Sequence, residues 1–169
     1  LFIRIMSENL CAPRHFFFGY LANKMMLISN QGMIESSVHK LDVKETDAVL
    51  EIDAGNRQAI SQIINKQPKR ILAVEISPLF QKKLEQRFQG AIELIKEDVK
   101  DLKGILADGS IDKLLLVNVI YFLDPLEQYL KEFHRILKPD GTIFIAGHFK
   151  VTQSFSRLVF KNTHLEKLL

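Results

Sequence analysis

From residue 47 onward, short apolar runs of strand length alternate with stretches whose apolar positions recur every three or four residues. Ala48-Val49-Leu50-Glu51-Ile52 reads as a buried strand, and Asp53-Ala54-Gly55-Asn56 as the loop that follows it. Ala59, Ile60, Ile63 and Ile64 fall on one helical face, so the spacing predicts a helix over about 57–66, closed by Pro68. Arg70-Ile71-Leu72-Ala73-Val74-Glu75 reads as a second strand. Ser77-Pro78 then reads as a helix start, serine as cap and proline in the first turn, with Leu79, Leu84 and Phe88 on the buried face. Ala91–Ile95 is the third predicted strand and Lys113–Val117 the fourth. The fourth is apolar on both faces, the pattern of a central parallel strand covered by helices on both sides. Asp124-Pro125 opens a helix in which Leu126, Tyr129, Leu130, Phe133, Ile136 and Leu137 share a face. Pro139-Asp140-Gly141 is a turn into a fifth strand, Thr142–Ala146.

Strands and helices alternating at this spacing imply right-handed crossovers and a doubly wound, Rossmann-like α/β sheet of five mostly parallel strands. The pattern reads as one domain: a helical segment over 1–46 (Phe16–Ile28 and Gly32–Leu41), an α/β core over 47–147 and a final helix over 148–169. Val151, Phe155, Leu158, Val159 and Leu165 form the apolar stripe of that helix, and nothing after Ala146 reads as a strand. The expected sheet therefore lacks a terminal antiparallel hairpin. Its fifth strand, with the uncharged run Ile143-Phe144-Ile145, is left as an open edge through which the chain is expected to self-associate. The start at Leu1 and the end at Leu169, in helical periodicity with no capping glycine, read as those of a fragment.

Composition narrows the function classes. Apolar residues at 47% and charged residues at 25% belong to a folded globular chain. A formal charge of +3 is too mild for the basic face of a nucleic-acid binder, which argues against such a partner. Lys66, Lys69, Arg70, Lys82, Lys83 and Arg87 read as a solvated face. No apolar run reaches the roughly 18 residues of a membrane span. One cysteine, Cys11, leaves no internal disulfide and fits a reducing, cytoplasm-like compartment. His15, His39, His134, His148 and His164 are dispersed, so no metal site is expected.

In a doubly wound sheet, ligands sit outside the carboxyl ends of the strands, where strand order reverses. The first strand and loop there read Val49-Leu50-Glu51-Ile52-Asp53-Ala54-Gly55-Asn56-Arg57. Ala73-Val74-Glu75-Ile76-Ser77 follows at the second strand, Glu97-Asp98-Val99 after the third, and Asp112 to Phe122 around the fourth. Arg135-Ile136-Leu137-Lys138-Pro139-Asp140-Gly141 leads into the fifth. Together, over about residues 19–147, these segments resemble class I S-adenosylmethionine-dependent methyltransferases of the methyltransferase type 11 kind. A nicotinamide dinucleotide loop would need glycines at 53, 55 and 58, where Asp53 and Gln58 stand.

The resemblance implies S-adenosylmethionine as cofactor and assigns its binding to Glu51, Asp53, Gly55, Asn56, Glu75, Ile76, Asp98, Val99 and Asn118. Glu75 has two oxygens for the two ribose hydroxyls, or is a solvated strand-end carboxylate. Asp98 accepts the adenine amino group beside the Val99 N–H, or caps the next turn. Glu51 lies near the methionine ammonium, or pairs with a lysine. Asn118 faces the methyl-donor side, or is an ordinary turn former. No general base stands out, and Tyr121 and His148 are candidates only to line an acceptor pocket. The chain departs from the family where it has Asp53 and Arg57 in place of the first and third loop glycines. Asp53 adds a carboxylate where the cofactor's own would lie, and Arg57 is expected to pair with it. Two functions are thus expected: methyl transfer to a small molecule, or a methyltransferase fold kept without catalysis as a binding module.

Overall fold

The computed structural model describes residues 30–148 and 155–162, with the side chains of all of these except 56, 148 and 155–160. The chain is helical over 30–41 (α1), the described part of the amino-terminal segment; the expected helix Phe16–Ile28 lies outside the described residues. Then follow β1 (Ala48–Ile52), α2 (Gln58–Ile64), β2 (Arg70–Val74), α3 (Pro78–Phe88), β3 (Glu93–Ile95), β4 (Ile111–Val117), α4 (Leu126–Ile136), β5 (Leu137–His148) and β6 (Phe155–Lys161). They form one six-stranded sheet in the order β3-β2-β1-β4-β5-β6. β1 pairs in parallel with β2 and β4, β2 with β3, and β4 with β5.

Alternation along each strand sends side chains to two cores. Leu50, Ile52, Leu114, Leu116, Ile143 and Ile145 pack with Phe133 and Ile136 of α4 on one face. Val49, Leu115 and Phe144 pack on the other with Ile34 and Val38 of α1, Ala59, Ile60 and Ile63 of α2 and Leu84 and Phe88 of α3. This is why β4 is apolar on both faces: its central Leu114, Leu115 and Leu116 are all buried. Among the described residues no helix is long and apolar enough to cross a membrane.

Three expectations are corrected. The segment expected to be a final helix contains a strand: β6 runs antiparallel to β5 from Thr142–Lys161 to His148–Phe155. The sheet thus has six strands with an antiparallel last pair, and the edge of Thr142–Ala146 is closed within the chain. The self-association expected there loses its structural basis. Apolar positions at 155, 158 and 159 satisfy a helical period, but an unpaired neighbouring strand overrides that local signal. Asn162, buried just after β6, fixes the closure by donating from Nδ2 to the carbonyls of Leu137 at 3.0 Å and Lys138 at 3.1 Å. The expected turn Pro139-Asp140-Gly141 is a bulge inside β5, where register steps from Ile111–Leu137 to Lys113–Thr142. The third strand is shorter than expected, Ala91 and Ile92 lying in the turn before it.

Candidate functional site

Strand order reverses between β1 and β4, so the crevice lies beyond the carboxyl ends of the central strands. The chain leaves β1 through Asp53, whose backbone is left-handed at φ 59°, makes a short 3₁₀ turn over Ala54–Asn56, and enters α2 through Arg57, also left-handed at φ 64°. Both are the positions where the sequence lacks the expected glycines. The loop has kept a glycine-like path with side chains on it. Asp tolerates this region better than most residues, Arg less well. Gly55 is required by close approach: a Cβ there would stand 2.9 Å from Cδ2 of Phe80 and 3.0 Å from Oε2 of Glu75. The side chain of Asn56 lies outside the described residues.

Three carboxyl groups meet at this edge. Glu51, flanked in register by Ala73 and Leu115, is only 3% exposed, and Glu75, just past β2, only 1%. Oε1 of Glu75 accepts the Ser77 backbone N–H at 2.7 Å. The Ile60 backbone N–H reaches the Glu51 carboxyl. Among the described residues, Oε2 of Glu51 and Oε2 of Glu75 have no hydrogen-bond partner although both are buried. Burial pushes the Glu51 carboxyl up to about 8, helped by Asp53 and Glu75. Burial likewise pushes Glu75 up to about 8, helped by the charge of Asp53. Asp53 keeps access to solvent, but burial raises its carboxyl, opposed by the neighbouring Glu75.

No lysine or arginine among the described residues offsets these charges. The expected Asp53–Arg57 pair is absent: the Arg57 guanidinium is lowered by burial and by Arg87, and Lys83 by burial and by Arg57. Arg57 thus interacts electrostatically with Arg87, in the last turn of α3, and with Lys83 of the same helix. Among the described residues no lysine pairs with Glu51 either.

The remaining predicted residues divide. Ile76, beside Glu75, is 65% exposed, an apolar side chain displayed at the crevice. Asn118 ends β4 in left-handed backbone at φ 60°, and its Oδ1 accepts the Tyr121 hydroxyl at 2.6 Å. Tyr121 lies so close over β5 that a Cβ on Gly147 would stand 2.7 Å from its hydroxyl. Its ring meets Phe122, which is 61% exposed, edge-on at 5.4 Å. Asp98 takes the capping role: it accepts from the Lys100 backbone at 3.3 Å and from the Tyr129 hydroxyl at 3.3 Å. Val99 is buried in the core below it, and the side chain of His148 lies outside the described residues. Sequence reasoning missed the aromatic Phe122 and the packing partner Phe80; a pair of exposed aromatics just after a central strand was the available signal for the first.

A hollow of about 330 Å³ lies at the opposite edge, lined by Asp47, Asp112, Lys113, Lys138, Pro139, Asp140 and Gly141. Two of its lining side chains pair, Lys138 holding Asp112 at 2.7 Å, and Asp112 also accepts the Ala48 N–H at 2.9 Å. That hollow is a structural joint. Among the described residues no three His, Cys, Asp or Glu side chains are grouped to hold a metal ion.

Residues 50–145 match the family model described as a methyltransferase domain. Ribosomal RNA small subunit methyltransferase A of Persephonella marina is 32% identical over 114 residues, covering 60% of this chain and 43% of that protein. A solved chain from the complex between the Haloferax volcanii Trm112 methyltransferase activator and a methyltransferase has a TM-score of 0.68 at 22% identity, over 75% of this chain and 56% of that one. A SAM-dependent methyltransferase from Aquifex aeolicus has a TM-score of 0.59 at 17% identity, over 68% and 63%. The chain spans less than half the length of the curated relatives it matches.

Proposed function

The chain belongs to the methyltransferase-domain family and has the class I methyltransferase fold, and from that premise we propose that its crevice binds S-adenosylmethionine and directs methyl transfer to a small molecule. One observation carries the reading. Two buried carboxyl groups, Glu51 and Glu75, each keep an unpartnered oxygen at the carboxyl edge of the sheet, beside a loop that turns on Gly55. Buried acceptors without donors are costly, and a ligand bearing an ammonium and hydroxyls supplies the missing donors. The residues present therefore fit the cofactor's cationic and hydroxyl groups. When bound, its sulfonium supplies an already activated methyl.

The chain's own residues then have a limited task. Glu75 holds hydroxyls, Glu51 an ammonium, and Ile76 offers an apolar surface to a flat ring. Tyr121, with Asn118 holding its hydroxyl, and Phe122 supply an exposed aromatic ledge past β4 for an apolar acceptor. Alignment and exclusion of water account for the acceleration such a site supplies. The Persephonella relative is named for ribosomal RNA, so RNA is the competing acceptor. The mild charge of +3 and the ledge favour the small molecule.

The second reading is the fold kept without catalysis, favoured by Asp53 and Arg57 in left-handed backbone where glycine carries no strain. Calorimetric titration with S-adenosylmethionine separates the two. Saturable heat at submillimolar ligand is expected; no heat up to about 1 mM would leave the second reading standing.

A further inference from the structure

We infer that Phe80 gates the crevice: its ring covers the free carboxyl oxygen of Glu75, and a ligand hydroxyl reaches that oxygen only after the ring turns aside. The inference rests on the reading of the crevice as a nucleoside site, and adds the residue that controls entry to it. Oε2 of Glu75 is sealed from solvent and, among the described residues, has no hydrogen-bond partner. An acceptor in that state serves a ligand only if something over it moves.

The geometry around Gly55 identifies what moves. The space that a Cβ on Gly55 would fill is bounded by Oε2 of Glu75 at 3.0 Å and by Phe80, with Cδ2 at 2.9 Å and Cγ at 3.1 Å. Acid, glycine and ring thus crowd one point. The ring is the outer layer, since Glu75 is buried and Phe80 only half-buried. The acid itself is pinned. Its backbone N–H donates to the Ile95 carbonyl at 3.0 Å, and its own carbonyl accepts from Nε2 of Gln81 at 2.7 Å. Its Oε1 accepts the Ser77 N–H at 2.7 Å. The loop is pinned where it begins, by the Asp53 N–H donating to the Val74 carbonyl at 2.9 Å. The Phe80 ring has no polar tie. It stands in the first turn of α3, packed on the loop, with Nζ of Lys83 5.1 Å from its centre. Rotation about its own side-chain bonds is therefore the least costly way to uncover Oε2, because it breaks none of these hydrogen bonds.

The test is the association and dissociation rates of S-adenosylmethionine, measured by surface plasmon resonance on the 169-residue chain and on Phe80→Ala. A gate open for about a tenth of the time or less slows association by that fraction. Phe80→Ala is therefore expected to raise the association rate about tenfold or more, with the dissociation rate changed by less than about threefold. A ring that only packs against bound ligand would act on the dissociation rate instead. Should Phe80→Ala fail to fold, Phe80→Leu, which keeps an apolar side chain on the loop, is expected to speed association in the same direction by a smaller factor. An association rate unchanged or lowered in the folded variant would overturn the inference and leave the proposed function intact. Binding by neither the native chain nor the variants would overturn both.

Discussion

The two edges of one sheet treat acidic residues in opposite ways. At the amino-terminal edge acids are paired: Asp112 with Lys138 at 2.7 Å, Glu93 with Arg70 at 2.7 Å, and Glu132 and Asp108 with Arg135. The partners hold Glu93 and Asp112 below the usual carboxylate range, the Asp112 carboxyl despite its burial. At the carboxyl-terminal edge Glu51 and Glu75 are buried with no cation among the described residues beside them, and are pushed up to about 8. The first arrangement stabilises the fold by itself. The second is costly until something arrives, which is how a binding site differs from a joint.

The largest expected difference between the edges comes from removing one partner at each. Arg135→Ala takes the guanidinium from buried Glu132 and from the Leu106 carbonyl it reaches at 2.8 Å. An uncompensated buried charge costs about 3 kcal/mol, read as a lower urea midpoint. At the carboxyl edge the same operation has the opposite sign. Glu51→Gln removes a charge that nothing offsets, and is expected to raise stability by about 2 kcal/mol at alkaline pH.

The pH dependence follows from the same shift. The Glu51 and Glu75 carboxyls sit near 8 in the folded chain and near 4.5 when unfolded. The folded state therefore binds more protons between those values, and this contribution to stability is complete below about 4.5 and lost as pH rises through 8. Thermal melts of the ligand-free chain from pH 5 to 9 should fall across that window, and Glu51→Gln should flatten the slope. A midpoint that holds level over the window would contradict the assignment of uncompensated charge to this edge.

Smaller effects belong to the loop. Asp53→Gly should raise affinity for S-adenosylmethionine by about tenfold, roughly 1.4 kcal/mol, by removing a like charge and restoring the residue its backbone suits. Arg57→Gly should stabilise the fold by about 0.5–1 kcal/mol: relief of left-handed strain, partly offset by glycine's larger entropy when unfolded. Chemical denaturation measures it directly.

What could be read beforehand was what local pattern encodes. β1 occupies Ala48–Ile52, as its apolar run indicates, and α3 begins at Pro78 after Ser77, as the cap and proline require. The parallel core follows from β4 being apolar on both faces. β6 was hidden because its pairing with β5 is a contact across a chain reversal, and its apolar spacing also fits a helix. Asn162 as the clamp on the β5 entrance was hidden for the same reason: a polar side chain acquires its partners only after the strands close. At the site, Glu51 lies in β1, Gly55 in the loop after it and Glu75 just past β2, as the strand and loop pattern indicates. That no described cation offsets them was not legible, because Arg57 is four residues from Asp53 in sequence yet makes no ion pair with it.

The central claim is that the uncompensated acids of the carboxyl edge wait for an adenosyl cation. Calorimetric titration with S-adenosylmethionine at pH 7.5, in two buffers of different ionisation enthalpy, tests it most directly. A bound cation favours ionised Glu51 and Glu75, so binding should release protons, and the measured heat should change with the buffer. Binding with the same heat in both buffers, or no binding, would contradict the claim.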